Sequence, residues 1–325
     1  MLLLCTILHF AVDGVCGAVL ADYAVNEANF DEILYYFGIY TVIAFGLQWL
    51  AGLILDKRKN LILPVFAVAP VLLAGGLFAG LGTFLQVILI ASGNCLFHVS
   101  AGVMILTRSQ NFREPGIFVS SGAIGLGLGL AQIVSALIFE VICIIFTGTA
   151  LFCAKKFRVH ENIYNHPQKV SGLLIIGALL LLGCVILRGF GGSAEIPGFV
   201  MLMPCVFALG KSAGGILCDL AGWKKCILAI FVMSFFALQM TGNLAVILLV
   251  FAFNMTMPLT LRLLQKIFPD YPGLMFGLAA GCLVPGYFLK EYFAVSPYVM
   301  TVIQFLSLFA AGLIYVHNCD FYGID

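Results

Sequence analysis

One sequence device occurs twice, at half-chain spacing. Gly52-Leu53-Ile54-Leu55-Asp56-Lys57-Arg58-Lys59 closes one apolar run, and Gly215-Ile216-Leu217-Cys218-Asp219-Leu220-Ala221-Gly222-Trp223-Lys224-Lys225 closes another. Asp56 and Asp219 lie 163 residues apart (219 − 56) in a chain of 325. A second echo follows each copy. Arg113-Glu114-Pro115-Gly116 opens a glycine-rich run ending at Gly129, and Asp270-Tyr271-Pro272-Gly273 opens another ending at Gly286. Such pairing predicts an internally duplicated chain folding as two matched halves.

Composition decides where those halves reside. Hydrophobic residues make up 62% of the chain and charged residues 10%. The apolar runs are long and uncharged, which predicts a polytopic α-helical membrane protein. They are continuous rather than alternating, which excludes a β-barrel. The eleven cysteines are scattered in apolar runs without paired spacing, so they read as small buried hydrophobes. Met1–Leu20 lacks a basic start and carries Asp13, so it reads as a first span rather than a cleaved leader.

The runs divide into twelve spans, at about 2–20, 33–55, 61–77, 83–106, two sharing 116–153, then 170–187, 197–219, 225–239, 243–264, 273–290 and 297–317. Twelve spans leave very short loops, and ten remain an alternative. The split between spans 5 and 6 falls near Gln132–Ser135. Asp22, Glu27, Asp31 and Glu32 form an acidic loop after span 1. The domains expected are residues 1–153, a polar linker at 154–169, and residues 170–325. Twelve bases fall in alternate loops, among them Lys57, Arg58, Lys59, Arg113, Lys155, Lys224, Lys225 and Lys266. The opposite loops hold only Arg188 and Lys290. The positive-inside rule then puts both termini and the linker in the cytoplasm, with the chain in the cell (inner) membrane.

The device has a physical reading. Gly52 and Gly215 let a neighbouring backbone approach a helix closely. Asp56 and Asp219 sit at the membrane edge, where each can accept from the amides of a neighbouring helix N-terminus. Lys57 and the later bases stay in the cytoplasm, and Gly222 ends the second copy. These residues resemble the loop between helices 2 and 3, and again 8 and 9, of the major facilitator superfamily, whose pattern is Gly-x-x-x-Asp-Arg/Lys-x-Gly-Arg/Lys. The first copy has Lys59 and Asn60 at the last two positions. The second has Leu220 and Trp223 at the basic positions. The resemblance covers nearly the whole chain. It implies an all-α fold of twelve transmembrane helices in two pseudo-symmetric six-helix bundles. It also implies a central cavity lined by spans 1, 4, 7 and 10, with the Asp56 and Asp219 loops as a conformational latch.

Burying an ionisable residue in a span costs at least ~2.5–3.5 kcal/mol on insertion scales, so the few present are candidates for function. His9 and Asp13 are spaced i, i+4 on span 1, and Asn94 and His98 likewise on span 4. The two spans run in opposite directions, which puts these four residues in one polar layer. Lys211 lies eight residues before Asp219, ~12 Å inside span 8. Glu140 sits in an apolar stretch of span 6, a peripheral support helix in the resembled family. Arg262 reads as a membrane-edge anchor, and Gln48, Gln132 and Asn254 as cavity donors.

His9-Phe10-x-x-Asp13 and Leu96-Phe97-His98 with Ser100-Ala101 are similar to the fosmidomycin-resistance-type exporters, which carry Pro where Val99 stands. The expected function is therefore secondary transport of a small organic solute, anionic or a drug, by alternating access coupled to protons. The expected working unit is a monomer in contact with membrane lipid. No cofactor, resident metal or nucleic acid is expected. The sequence has no P-loop, and Gly125-Leu126-Gly127-Leu128-Gly129 lies inside a span, where it reads as helix packing. Two rival readings stay open: a membrane-embedded enzyme holding a metal on His9, Asp13 and His98, and a transport-inactive sensor on the same fold.

Overall fold

The computed structural model describes residues 1–26, 29–78, 80–108, 110–153, 171–191, 196, 198–290 and 292–322. The linker expected at 154–169 lies outside the described residues. Among them, twelve helical rods follow one another and no strand occurs. In chain order they are α1 (Leu2–Asn26), α2 (Phe30–Lys57), α3 (Ile62–Phe78), α4 (Thr83–Arg108), α5 (Arg113–Leu130) and α6 (Ala136–Cys153). The second six are α7 (Gly172–Gly191), α8 (Leu202–Ala221), α9 (Trp223–Ala237), α10 (Asn243–Ile267), α11 (Pro272–Leu289) and α12 (Pro297–Tyr322).

Ten of the twelve are long and apolar enough to cross a membrane by length and composition. The two that fall short explain why a ten-span reading competes. Rod α9 has only 15 residues and starts on Trp223-Lys224-Lys225. Rod α5 has 18 and opens on Arg113-Glu114. The break between spans 5 and 6 falls at residues 131–135, beside Gln132, whose φ of 54° turns the chain back. Of the acidic loop expected after span 1, Glu27 lies outside the described residues and the other three acids are helical. Asp22 lies in α1, and Asp31 and Glu32 form the first turn of α2, where carboxylates favour the helix N-terminus. Asn29 caps that helix by accepting from the Asp31 amide at 3.0 Å.

The first six rods pack together around α1 and α4, the last six around α7 and α10. The two groups meet along two crossings, α5 with α8 and α2 with α11. Both crossings are made of glycine, because only a missing side chain lets two helix backbones touch. A Cβ on Gly52 would fall on the carbonyl of Gly273, and one on Gly277 would fall on the Gln48 backbone. In the other crossing a Cβ on Gly116 would lie 2.7 Å from the Lys211 carbonyl, and one on Gly215 2.5 Å from that of Phe112.

Candidate functional site

The two aspartates of the repeated device close one end of the molecule. The Asp56 carboxylate accepts from the amides of Gly273 and Leu274, both at 2.8 Å, at the first turn of α11. The Asp219 carboxylate accepts from the amides of Phe112 at 2.8 Å and Arg113 at 3.0 Å, at the first turn of α5. Each half thus caps a helix of the other, where orphan amides and the helix dipole favour an anion. Gly222 has φ +84°, a backbone conformation that favours glycine, and it reverses the chain between α8 and α9. Lys57 is exposed and stands outside this contact.

Arg262 reinforces the same end. It is fully buried rather than a membrane-edge anchor. Its guanidinium donates to the carbonyls of Leu106 at 2.8 Å and Asn111 at 2.9 Å, and to Gln265 at 2.9 Å. Leu106 and Asn111 belong to the first half and Arg262 to the second, so this side chain ties the halves together.

Above the closed end lies a cavity of about 320 Å³, in the range of small-molecule sites. It is lined from α1, α2, α4, α5, α8, α10 and α11. No residue of α7 lines it, contrary to the expectation for span 7. The reason is packing: Gly189 of α7 sits against the backbone of Leu283 and Gly286 in α11, so α11 forms the wall in its place. Gln48 and Asn254 line the cavity as expected, whereas Gln132 bonds to Asp22 at 2.9 Å outside it. The α2 wall carries a π-helical turn at Val42–Gly46, the kind of irregularity that recurs at functional sites.

One wall brings four of the expected residues together. His9 and Asp13 come from α1, His98 and Asn94 from α4. Asn94 donates to Asp13 at 3.1 Å. The Nε2 atoms of His9 and His98 are 2.8 Å apart, and they lie 3.2 and 3.4 Å from the two Asp13 oxygens. Each ring is oriented from behind: Nδ1 of His9 faces the Phe118 carbonyl at 2.7 Å, and Nδ1 of His98 faces the Asn94 carbonyl at 2.9 Å. A carbonyl only accepts, so both Nδ1 atoms carry the hydrogen. Two Nε2 lone pairs and a carboxylate therefore converge on one point, which calls for a positive charge between them.

Gly122 makes this convergence possible. A Cβ there would fall on the Asp13 carboxylate and the His9 ring. Within the glycine-rich run, Gly125 abuts the Phe10 backbone and Gly129 that of Gly14, while Gly127 abuts the ring of Pro204 in α8. Rod α5 is held between α1 and α8 by these contacts. The sequence marked the run as packing but gave Gly122 no role.

On the facing wall Lys211 enters the cavity from α8 and makes no ion pair within 4.0 Å among the described residues. Glu140 is not in the cavity. It is fully buried on α6, and neither carboxylate oxygen has a hydrogen-bond partner. Arg188, expected in a loop, is 4% exposed near the end of α7. It donates to the hydroxyls of Thr256 at 3.4 Å and Thr260 at 3.3 Å on α10.

Sequence comparison matches no known protein family and no curated protein. Comparison of the fold does find similar structures. A crystal structure of the major facilitator superfamily transporter FucP in the outward conformation matches at a TM-score of 0.63 and 12% identity, over 97% of each chain. A variant of the E. coli fucose:proton symporter FucP matches at 0.57 and 12% identity, over 98% of this chain and 97% of that one. The chain has the major facilitator fold. At this identity the likeness speaks for the fold alone, the twelve-helix architecture in two pseudo-symmetric bundles, ten of whose helices are long and apolar enough to cross a membrane.

Proposed function

We propose that this protein is a proton-coupled secondary transporter, moving a small organic solute by rocking residues 1–153 against 170–325. The single observation that carries the reading is the convergence of three acceptors, His9 Nε2, His98 Nε2 and Asp13, on the cavity surface. A proton shared there satisfies all three, and the cluster changes charge when it leaves. Water that reaches the cavity from alternate ends then loads and unloads the proton in different states, which links proton flow to the conformational cycle. The neighbouring structures in this fold are transporters, one of them a fucose:proton symporter, which fits the reading.

The distances favour a proton over a metal ion. Two ligands of a tetrahedral zinc at ~2.0–2.1 Å stand about 3.3 Å apart. The 2.8 Å between the two Nε2 atoms is hydrogen-bond length. The latched end is assigned to the cytoplasm because Lys57, Arg58, Lys59, Lys224 and Lys225 gather there. The cavity then faces the opposite side, toward which Leu130 and Tyr287 lie at the far ends of α5 and α11.

The test is proton movement in proteoliposomes, read with an entrapped pH-sensitive dye as small organic acids and sugars are added singly. At least one solute is expected to evoke proton flux. Asp13→Asn keeps size and hydrogen bonding but cannot ionise. It is expected to abolish pH-driven accumulation of that solute while solute exchange persists. Parental accumulation by Asp13→Asn refutes the coupling role.

A further inference from the structure

We propose that the second-half wall of the cavity is an oxyanion subsite, with Lys211 as the contacting cation and Arg188 as a second cation behind it. The ligand class is a small organic anion bearing a carboxylate or a phosphate.

The argument is one of unmatched charge. Arg188 is 4% exposed, and its guanidinium is held on one side only, by the Thr256 and Thr260 hydroxyls. The other terminal nitrogen is buried and has no partner. Thr256 and Thr260 stand on α10, the helix whose Asn254 and Met257 line the cavity, which puts Arg188 behind that wall. Lys211 has no anion within 4.0 Å either. Two cations without a counter-ion in a membrane interior are costly, and such groups face a pathway or a partner.

No protein carboxylate serves as that partner among the described residues. Asp13 is engaged by His9, His98 and Asn94. Asp56 and Asp219 cap helices at the closed end, and Glu114 lies beside Arg108. Glu140 lies outside the cavity on α6, and Asp22 bonds to Gln132. Of the elements packed on α7, α10 offers Arg188 the two threonine hydroxyls, and α12 offers Gln304, which itself donates to Thr256 at 3.4 Å. With a proton on the histidine pair, the cavity holds Asp13 against two positive charges, that proton and Lys211, with Arg188 a third behind the wall. A monoanion or dianion fits that imbalance, and a neutral sugar or a cation does not.

The test is binding, which does not depend on the transporter reading; only movement of the bound anion rests on it. Thermal unfolding of the purified protein is followed as lactate or glycerol 3-phosphate replaces chloride at constant ionic strength, with glycerol as the neutral control. Either anion is expected to raise the midpoint at millimolar concentration, the arm that acts reporting carboxylate or phosphate. Lys211→Gln is expected to weaken that binding at least about tenfold, the loss of one charge-assisted hydrogen bond. Arg188→Gln keeps donors for the threonines and loses the charge, so binding weakens by a smaller factor, while Arg188→Lys retains it. If Arg188→Gln does not fold, Lys211→Gln and Arg188→Lys decide the matter. Equal stabilisation by glycerol, no shift with either anion, or parental affinity in Lys211→Gln overturns the subsite. Anion binding without any flux in proteoliposomes sinks the transporter reading and leaves the subsite. Coupled flux of a neutral solute does the reverse.

Discussion

The latches and the walls of this protein share one repeated device but differ in how alike their two copies are. At the closed end the two aspartates play matching parts. Asp56 caps α11 as Asp219 caps α5, each through two amides, and each sits four residues after a glycine in backbone contact across the interface. Eight residues before each aspartate, that likeness fails. Gln48 and Lys211 occupy matching places and both line the cavity, yet one is neutral and the other charged. The His9–His98–Asp13 cluster belongs to the first half alone, and Arg188 to the second. On the proposed function, rocking needs two equal hinges, which keeps symmetry where the halves would move against each other, and a solute with two unlike ends removes it where that solute would be held.

The largest effect is expected from breaking both latches. An Asn in place of either aspartate keeps one acceptor oxygen and loses the charge and one amide bond. Hydrogen bonds to charged groups are worth about 1.5–3 kcal/mol, so each substitution shifts the balance away from the latched state about tenfold or more. Asp56→Asn and Asp219→Asn should give equal shifts. The double variant should give about their product, since distant sites add. Pulsed dipolar distances between spin labels at Lys57 and Lys225, in a cysteine-free background, measure the populations. Strongly unequal single shifts break the claim of symmetric latches. Arg262, which has no match in the first half, is where such inequality would come from.

A smaller, one-sided effect is expected from Gly122→Ala. The added methyl meets Asp13 and His9, so the cluster must part. The helix itself gains, since alanine is favoured over glycine in a helix interior by roughly 0.8–1.0 kcal/mol. Accumulation driven by a pH gradient should fall by about tenfold or more, with expression and latch distances unchanged. An unaltered coupling ratio in this variant shows that the cluster geometry is not what carries the proton.

Much of this was written in the sequence where the physics is local. Continuous apolar runs give rods, and a glycine four residues before an aspartate at a span end gives a latch. Two i, i+4 polar pairs at matching depths on antiparallel helices give the layer of His9, Asp13, Asn94 and His98. What stayed hidden depends on partners far along the chain. Arg188 looked like a loop base because it sits near the end of an apolar run. In the fold, α7 continues to Gly191 and the guanidinium reaches Thr256 and Thr260 on α10. Arg262 looked like an edge anchor, yet its acceptors are carbonyls more than 150 residues away. Gly122 gave no signal, because the space it leaves is used by two side chains of α1.

The smallest effect should come from Glu140, and it sharpens where the first wall ends. Its carboxyl is fully buried on α6 with both oxygens unpartnered. Its helix packs on α1, where Cys16 accepts from Asn94, itself bonded to Asp13. Two readings follow from that neighbourhood. If Glu140 is an isolated neutral acid, an apolar replacement of similar shape removes a desolvated polar group and leaves nothing orphaned. Glu140→Met should then raise stability by about 1 kcal/mol, with transport within about twofold of the parent. Thermal unfolding and pH-driven uptake in proteoliposomes check both halves of that statement. If Glu140→Met instead loses pH-driven uptake while exchange survives, the hydrogen-bond network that tunes Asp13 reaches through Asn94 and Cys16 toward α6. The proton-handling wall would then extend beyond the cavity, and the asymmetry between the halves would be deeper than the cavity lining reveals.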